Sequence, residues 1–264
     1  MTELTPLDQA HAAMEAAPQD DTARLAFYER LADAEFFLML AEDPREDDQV
    51  TPEVFDLADA RYVLIFDREE RLAAFAGQVT PYVALSGRII ASLLTGQGIG
   101  LGVNLDVAPS SILLPPDAVA WLSQTLGNQA DEVKAQIVEV SVPTGLPDRF
   151  VSALDTKLAT AMGLARSAFL VGVTYDSGAR GHMLGFVDAI PEAQTALTQA
   201  TTEALTFSGI DAGAIDVAFF GQDDRIIVKL ERHGLRFDLP QMQQTPPAPP
   251  NAPGMDPEKP PKLK

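Results

Sequence analysis

Apolar positions fall into two periods along this chain, and the switches between them mark its elements. Leu7, Ala10 and Met14 share one face at helical spacing, as do Leu25, Tyr28, Leu31 and Ala32, so two helices are predicted at the start. Thr5-Pro6-Leu7-Asp8 is a helix opening: threonine caps, proline fits the first helical position, and an acid complements the positive end. Asp20-Asp21-Thr22 offers a second cap, for a helix running to about Ala34. His11, beside the first stripe, reads as a partly exposed boundary residue. The run FFLMLA over residues 36–41 is short and wholly apolar, which fits a buried strand.

Residues 61–105 then alternate. A strand rich in β-branched and aromatic residues occupies 61–67, and Asp67 with Glu70 forms a capping-box pattern for a helix that buries Leu72 and Phe75. A second strand covers 81–85. Ser86 is the expected cap of a helix carrying Ile89, Ile90, Leu93 and Leu94, and Gly96 is its stop. A third strand fills 99–105. Strands separated by short helices imply βαβ units, hence a mostly parallel sheet. Pro115-Pro116-Asp117 opens one more helix, with Ala118, Trp121, Leu122 and Leu126 facing inward.

A new unit begins near Glu132. Val133, Ala135, Ile137 and Val140 predict a strand, and Pro147 opens a helix bearing Phe150, Leu154, Leu158 and Met162. Residues 168–175 and 183–190 read as a hairpin about Asp176-Ser177-Gly178, with His182 in its turn. A helix from Pro191 follows, carrying Leu197, Ala204 and Phe207, then strands at 214–220 and 226–230. This β-α-β-β-α-β succession is the ferredoxin-like split βαβ pattern. From Pro240 onward, nine of 25 residues are proline, so an extended, disordered tail is expected, with Pro246-Pro247-Ala248-Pro249-Pro250 a potential polyproline ligand. The expected organisation is a helical lead-in (1–20), a mostly parallel α/β domain (21–128), a ferredoxin-like α+β domain (129–239) and the proline-rich tail (240–264).

Charge narrows the partners. The 264 residues carry a net charge of −19, and residues 1–60 hold 16 Asp and Glu against Arg24, Arg30 and Arg45. No Lys/Arg cluster exists to displace counterions from a phosphate backbone or an anionic bilayer, so neither nucleic acid nor membrane is expected as a partner. No run approaches the roughly 18 apolar residues of a membrane span. The N-terminus lacks the basic and apolar regions of a secretory signal, which makes the cytoplasm the expected location. Zero cysteines exclude disulfides, thiolate metal sites and a cysteine nucleophile.

Most site chemistry fails on spacing. Gly96, Gly98, Gly100 and Gly102 follow a helix and form a strand, the reverse of a dinucleotide-binding loop, so they read as small residues packed closely. Histidines 11, 182 and 233 lie in separate segments without helix-spaced partners, and no G-x-S-x-G elbow occurs. Asp43, Glu46, Asp47 and Asp48 lack the spacing and glycine of a calcium loop. No metal, cofactor or catalytic residue is therefore assigned. Ligands of parallel α/β sheets bind at the strands' carboxyl ends, where Asp67, Ser86 and Asn104 are predicted to stand, with Arg88 in the next helical turn to hold a small anion.

The succession AEFFLML, VFDL, YVLIFDREERLAAF, PYVALSGRIIASLL and GIGLGVNL resembles the N-terminal domain of the SseB family, named for enhanced serine sensitivity in bacteria. The likeness covers about residues 22–126; residues 130–239 are more weakly similar to that family's C-terminal domain. Phe66-Asp67-Arg68-Glu69-Glu70-Arg71-Leu72 is its most specific segment, whereas Asn104-Leu105-Asp106 departs from the family's usual Asn-Pro-Gly. The resemblance implies a two-domain cytoplasmic bacterial protein with no assigned activity or cofactor. The leading expectation is a non-enzymatic binding or regulatory module, touching amino-acid or sulfur metabolism, that engages a protein or a small anionic ligand. The alternatives are a small-molecule enzyme at the strand ends and an adaptor recruiting partners through its proline tail. Oligomeric state is not legible.

Overall fold

A computed structural model of the chain describes residues 3–43, 50–57, 60–127, 137–210 and 215–241. The expected calcium-excluded loop at 44–49, the first part of the strand predicted from Val133 and the proline-rich segment lie outside the described residues. Two mixed sheets organise the rest.

The chain opens with α1 (Pro6–Ala16) and α2 (Asp21–Asp33), capped by Thr5 and Asp20 as their sequences predict. Then come β1 (Glu35–Met39), β2 (Val54–Leu57), β3 (Ala60–Phe66), α3 (Glu69–Ala76), β4 (Tyr82–Ser86), α4 (Gly87–Leu94), β5 (Ile99–Val103), β6 (Ile112–Leu114) and α5 (Pro116–Gly127). The first sheet runs β4-β1-β3-β5-β6, with β2 also paired to β3. Only β3 and β5 are parallel; β1 is antiparallel to both β3 and β4, and β5 to β6. The expected mostly parallel sheet is thus corrected to a mixed one. Its cause is β1: Phe36 and Leu38 are buried, and the strand takes a neighbour on each side, separating β4 from β3. β2 and β6, too short to announce themselves by period, went unpredicted.

Both faces of this sheet are covered. Val63 and Ile65 of β3 join Phe27, Leu31, Ile90 and Leu122 on the side of α2, α4 and α5. Leu64 and Phe66 point the other way, toward Leu72 of α3. That two-sided burial explains why residues 62–66 form one apolar run. Each fully buried Leu or Phe contributes on the order of 1.5–3 kcal/mol. Gly100 and Gly102 do sit under close neighbours: a Cβ at Gly100 would lie 2.6 Å from the Tyr62 ring, and one at Gly102 2.5 Å from Leu64.

The second sheet is built from β7 (Ile137–Ser141), α6 (Asp148–Ala159), β8 (Ser167–Tyr175), β9 (Arg180–Val187), α7 (Gln194–Phe207, after a 3-10 turn at Pro191–Ala193), β10 (Ile215–Phe220), α8 (Ile227–His233) and β11 (Leu235–Asp238). The succession β-α-β-β-α-β is present, but the pairing is not ferredoxin-like. The order is β10-β9-β8-β11, with β7 also on β8. β7 and β11 share the free edge of the nine-residue β8 end to end, at residues 172–175 and 167–170. Residues 227–230, expected as a strand, are helical: Ile227 and Leu230 face the sheet three residues apart, a helical period. His182 lies within β9 opposite Gly172 rather than in the turn, and its ring nitrogen reaches the Thr144 carbonyl at 2.9 Å.

The two sheets meet through helices. α7 places Leu197, Ala204 and Leu205 in the second core, while Phe207 at its end is buried in the first. α7 therefore belongs to both packing layers.

Candidate functional site

β3 and β5 are parallel neighbours, so Asp67 and Asn104, the residues directly after them, come to one end of the sheet. Antiparallel β1 brings Glu35 to the same end, and Ser86 pairs with Glu35 in the β1–β4 ladder. The strand-end line predicted from sequence thus exists, with Glu35 inserted into it.

Asp67 does not cap α3. The N-cap is Arg68, which makes no side-chain cap bond, and the Asp67 carboxylate turns inward instead. It accepts from the Thr5 hydroxyl (2.7 Å) and from Arg71 Nη1 (2.8 Å). The Asp67 amide donates to Asn104 Oδ1 (3.1 Å), and Asn104 Nδ2 donates to Ser110 Oγ (2.8 Å). Ser110 in turn donates to Asp8 Oδ1 (2.6 Å). Arg71 closes the circle with two bonds to Asp8, from Nη1 at 3.0 Å and Nη2 at 2.5 Å. Asn104 holds a left-handed conformation (φ 48°), which asparagine tolerates better than most residues.

This network is buried and self-satisfied. The Asp8 side chain is 0% exposed and that of Arg71 8%. Burial by itself would push the Asp8 carboxyl up, but hydrogen bonds from Arg71, Ser110 and the Thr5 amide outweigh it and hold the group well below the ordinary carboxylate range. Arg71 is held above its usual value, its burial outweighed by Asp8 and Asp67. Asp8 and Arg71 thereby fix α1 onto the strand ends, and neither is poised to exchange a proton near neutrality.

Sequence reasoning missed Asp8, Arg71 and Ser110. Thr5 and Asp8 already had a reading, as a cap and as an acid at the positive helix end, and in the structure they close a full capping box. A signal did exist: Arg71 stands four residues after Asp67, an ion-pair spacing, and directly beside the buried Leu72.

Outside the network, a cavity of about 430 Å³ opens at the same sheet end, bounded by Thr5, Pro6 and Leu7 of α1, Arg30, Asp33 and Glu35, and Asp67 and Arg68. The side chains of Arg30, Arg68 and Glu35 make no hydrogen bond or ion pair among the described residues. Asp33 is taken: it accepts from Arg88 (2.6 Å) and Lys157 (2.6 Å).

Arg88 and Ser86 lie apart from Asp67 and Asn104. Ser86 is the N-cap of α4, but its side chain makes no cap bond. Arg88 grips Glu203 of α7 with both terminal nitrogens, at 3.0 and 3.1 Å, besides Asp33. Lys157 of α6 joins Glu203 (3.1 Å) and lies 3.8 Å from Glu29. These five charges form a junction between the two sheets. Burial pushes the Glu29 carboxyl up, only partly opposed by Lys157. His11, expected at the boundary, is buried with its ring edge-on to Phe27 at 5.7 Å. No group of His, Cys, Asp and Glu among the described residues is arranged to hold a metal ion. No helix among them is long and apolar enough to cross a membrane.

Residues 7–121 match the family model described as the SseB protein N-terminal domain, a span that runs from α1 into the first half of α5 and takes in the strand-end network except Thr5. No curated protein and no solved structure matches the chain.

Proposed function

From the match of residues 7–121 to the SseB N-terminal domain model, we propose that the chain is an SseB-family protein and a cytoplasmic, non-enzymatic regulatory module that binds a small anionic ligand at the strand ends of its first sheet. The observation that carries this reading is the cavity beside Asp67. Its polar rim offers two uncommitted guanidinium groups, Arg30 and Arg68, which suit a carboxylate or phosphate. The acidic and basic groups behind it are consumed by one another, which argues for holding a ligand over transforming it. Glu35, the one uncommitted carboxylate on the rim, can take an ammonium, so an amino acid is the ligand class that satisfies all three groups. That class agrees with the family's name.

In this reading Asp67 is the cavity's inner wall and Asn104 fixes it from behind. Ser86 and Arg88 border the same sheet end on the far side of Glu35. Residues 129–239 are read as the family's C-terminal domain on their resemblance alone.

Thermal unfolding of the full chain with the common amino acids, phosphate and sulfate tests the proposal. A ligand at 100 times its Kd stabilises by about 2.7 kcal/mol, a rise of several degrees that Arg30→Ala and Arg68→Ala should each abolish. No shift with any of these compounds, or a shift indifferent to both substitutions, sinks it. Turnover of a bound amino acid would favour an enzyme instead.

A further inference from the structure

A second concavity lies on the opposite side of α2. Arg24, Leu25 and Tyr28 of α2 and Ala118 and Trp121 of α5 line a groove of about 310 Å³. Its walls are two aromatic rings packed edge to face, Tyr28 and Trp121, with centroids 5.1 Å apart. Trp121 was expected to face inward with Ala118, yet Val119 takes the buried position and the indole is 38% exposed. The polar tips of both rings are uncommitted: neither the Trp121 Nε1–H nor the Tyr28 hydroxyl has a hydrogen-bond partner among the described residues. Arg24 adds further N–H groups at the rim, one of them engaged by Asp21.

This surface offers flat apolar faces and hydrogen-bond donors. Its complement is a segment with apolar rings and acceptors but few donors. A proline-rich segment has that composition, since each proline contributes a ring and a carbonyl and no N–H. Proline segments dock to aromatic-lined grooves in this way because the extended helix is preformed and loses little entropy.

We infer that this groove receives the chain's own proline-rich segment, within residues 246–261. Three observations select it over a foreign peptide. The segment is tethered: Gln241, whose side-chain amide donates to the Ala165 carbonyl at 3.0 Å, is followed by 23 further residues. At about 3.1 Å per residue they could extend roughly 70 Å, several helix diameters. A covalent tether also raises the local concentration into the mM range, enough for a weak groove. Finally, charge suits the groove, because residues 246–261 carry Asp256 and Glu258 against Lys259, net −1, and the charged residue lining the groove is Arg24. The occupied groove would sheathe the indole and return the tail to the body.

Trp121 is the chain's one tryptophan, so its fluorescence reports this groove alone. The test compares acrylamide quenching of the full-length protein with a full-length variant in which Pro246, Pro247, Pro249 and Pro250 are replaced by serine, together with Pro253, Pro257, Pro260 and Pro261. The expected result is a quenching constant at least twofold larger in the variant, at a wild-type value independent of protein concentration. A synthetic peptide of residues 246–261, added at mM concentration, should restore the shielding in the variant, and Tyr28→Leu should weaken that restoration. Equal quenching in the two proteins overturns the inference. So does shielding that grows with concentration, which would assign the occupant to a second copy, and so does a peptide without effect.

Discussion

Arg71→Met tests the buried strand-end network at its one cation. Among the described residues, the guanidinium is the one cation that pairs with Asp8 (side chain 0% exposed) and Asp67 (5%). Methionine keeps an unbranched aliphatic stem and removes three charged hydrogen bonds. Asp8 would retain donors from Ser110 and the Thr5 amide, and Asp67 the Thr5 hydroxyl. Orphaning one partner of a buried ion pair costs about 3–5 kcal/mol, which for a chain of this size lowers Tm by about 6–20 °C. The pH dependence identifies the cause. Asp8's folded pKa is depressed in the wild type, so its contribution is complete above the unfolded value of about 3.9 and is lost as pH falls below it. In Arg71→Met the buried carboxyl is destabilised instead, so that variant weakens as pH rises above about 4. The gap between the two proteins should therefore open between about pH 4 and 7 and close at lower pH. Urea unfolding followed by circular dichroism at a series of pH values measures it. Adding Asp8→Asn to Arg71→Met should recover part of the loss by removing one orphaned charge. A gap below about 1 kcal/mol at pH 7, or one indifferent to pH, refutes the network as a charge-balanced clamp.

Glu29→Gln should act in the opposite sense. Burial raises the Glu29 pKa in the folded state, so its contribution is present below the unfolded value of about 4.3 and lost as pH rises through the folded one; the glutamine variant should match or exceed wild-type Tm at pH 7–8 and lose that advantage on acidification. Gly87→Ala would put a Cβ 1.9 Å from the Leu31 carbonyl oxygen, backbone against backbone, and is expected at or above the top of the usual 1–3 kcal/mol overpacking range, as read from urea midpoints. Phe207→Ala removes a side chain that the second unit buries in the first core. About 3–5 kcal/mol should be lost, and calorimetry should show the single unfolding transition dividing, whereas an unchanged profile would mean that the units do not rely on this contact.

What was legible in the sequence follows from what is local. Thr5-Pro6-Leu7-Asp8 announces the first helix because a cap, a proline and an acid act within four residues. The runs at 62–66 and 168–173 announce strands because burial on both faces leaves no charged position. Pairing was not legible. Whether β4 lies beside β3 or beyond β1 is decided by which partners bury Phe36 and Leu38, and nothing in residues 81–86 records that choice. Short β2 and β6 carry too few residues to show a period. Of the four strand-end residues, Asp67 and Asn104 come together because the parallel β3–β5 pair is the part of the βαβ reading that holds. Asp67's role was misread because Asp followed three residues later by Glu is what a capping box looks like locally. The competing partner, Arg71, lies only four residues away, but its second carboxylate, Asp8, is 63 positions distant.

The same logic explains Arg88. On its own helix it looks like a cation in a first turn, free for an anion. The anions it meets are Asp33 and Glu203, the latter 115 residues away and only 3% exposed. Glu203 sits in α7 between Ala200 and Phe207, within an apolar stripe where a carboxylate would be untenable without cations. Lys157 and the Gln199 amide supply donors from its own unit, and Arg88 adds two hydrogen bonds from the other. The charges that make the junction therefore also make the two units depend on one another, and Glu203 in a hydrophobic face was the sequence's one local sign of it.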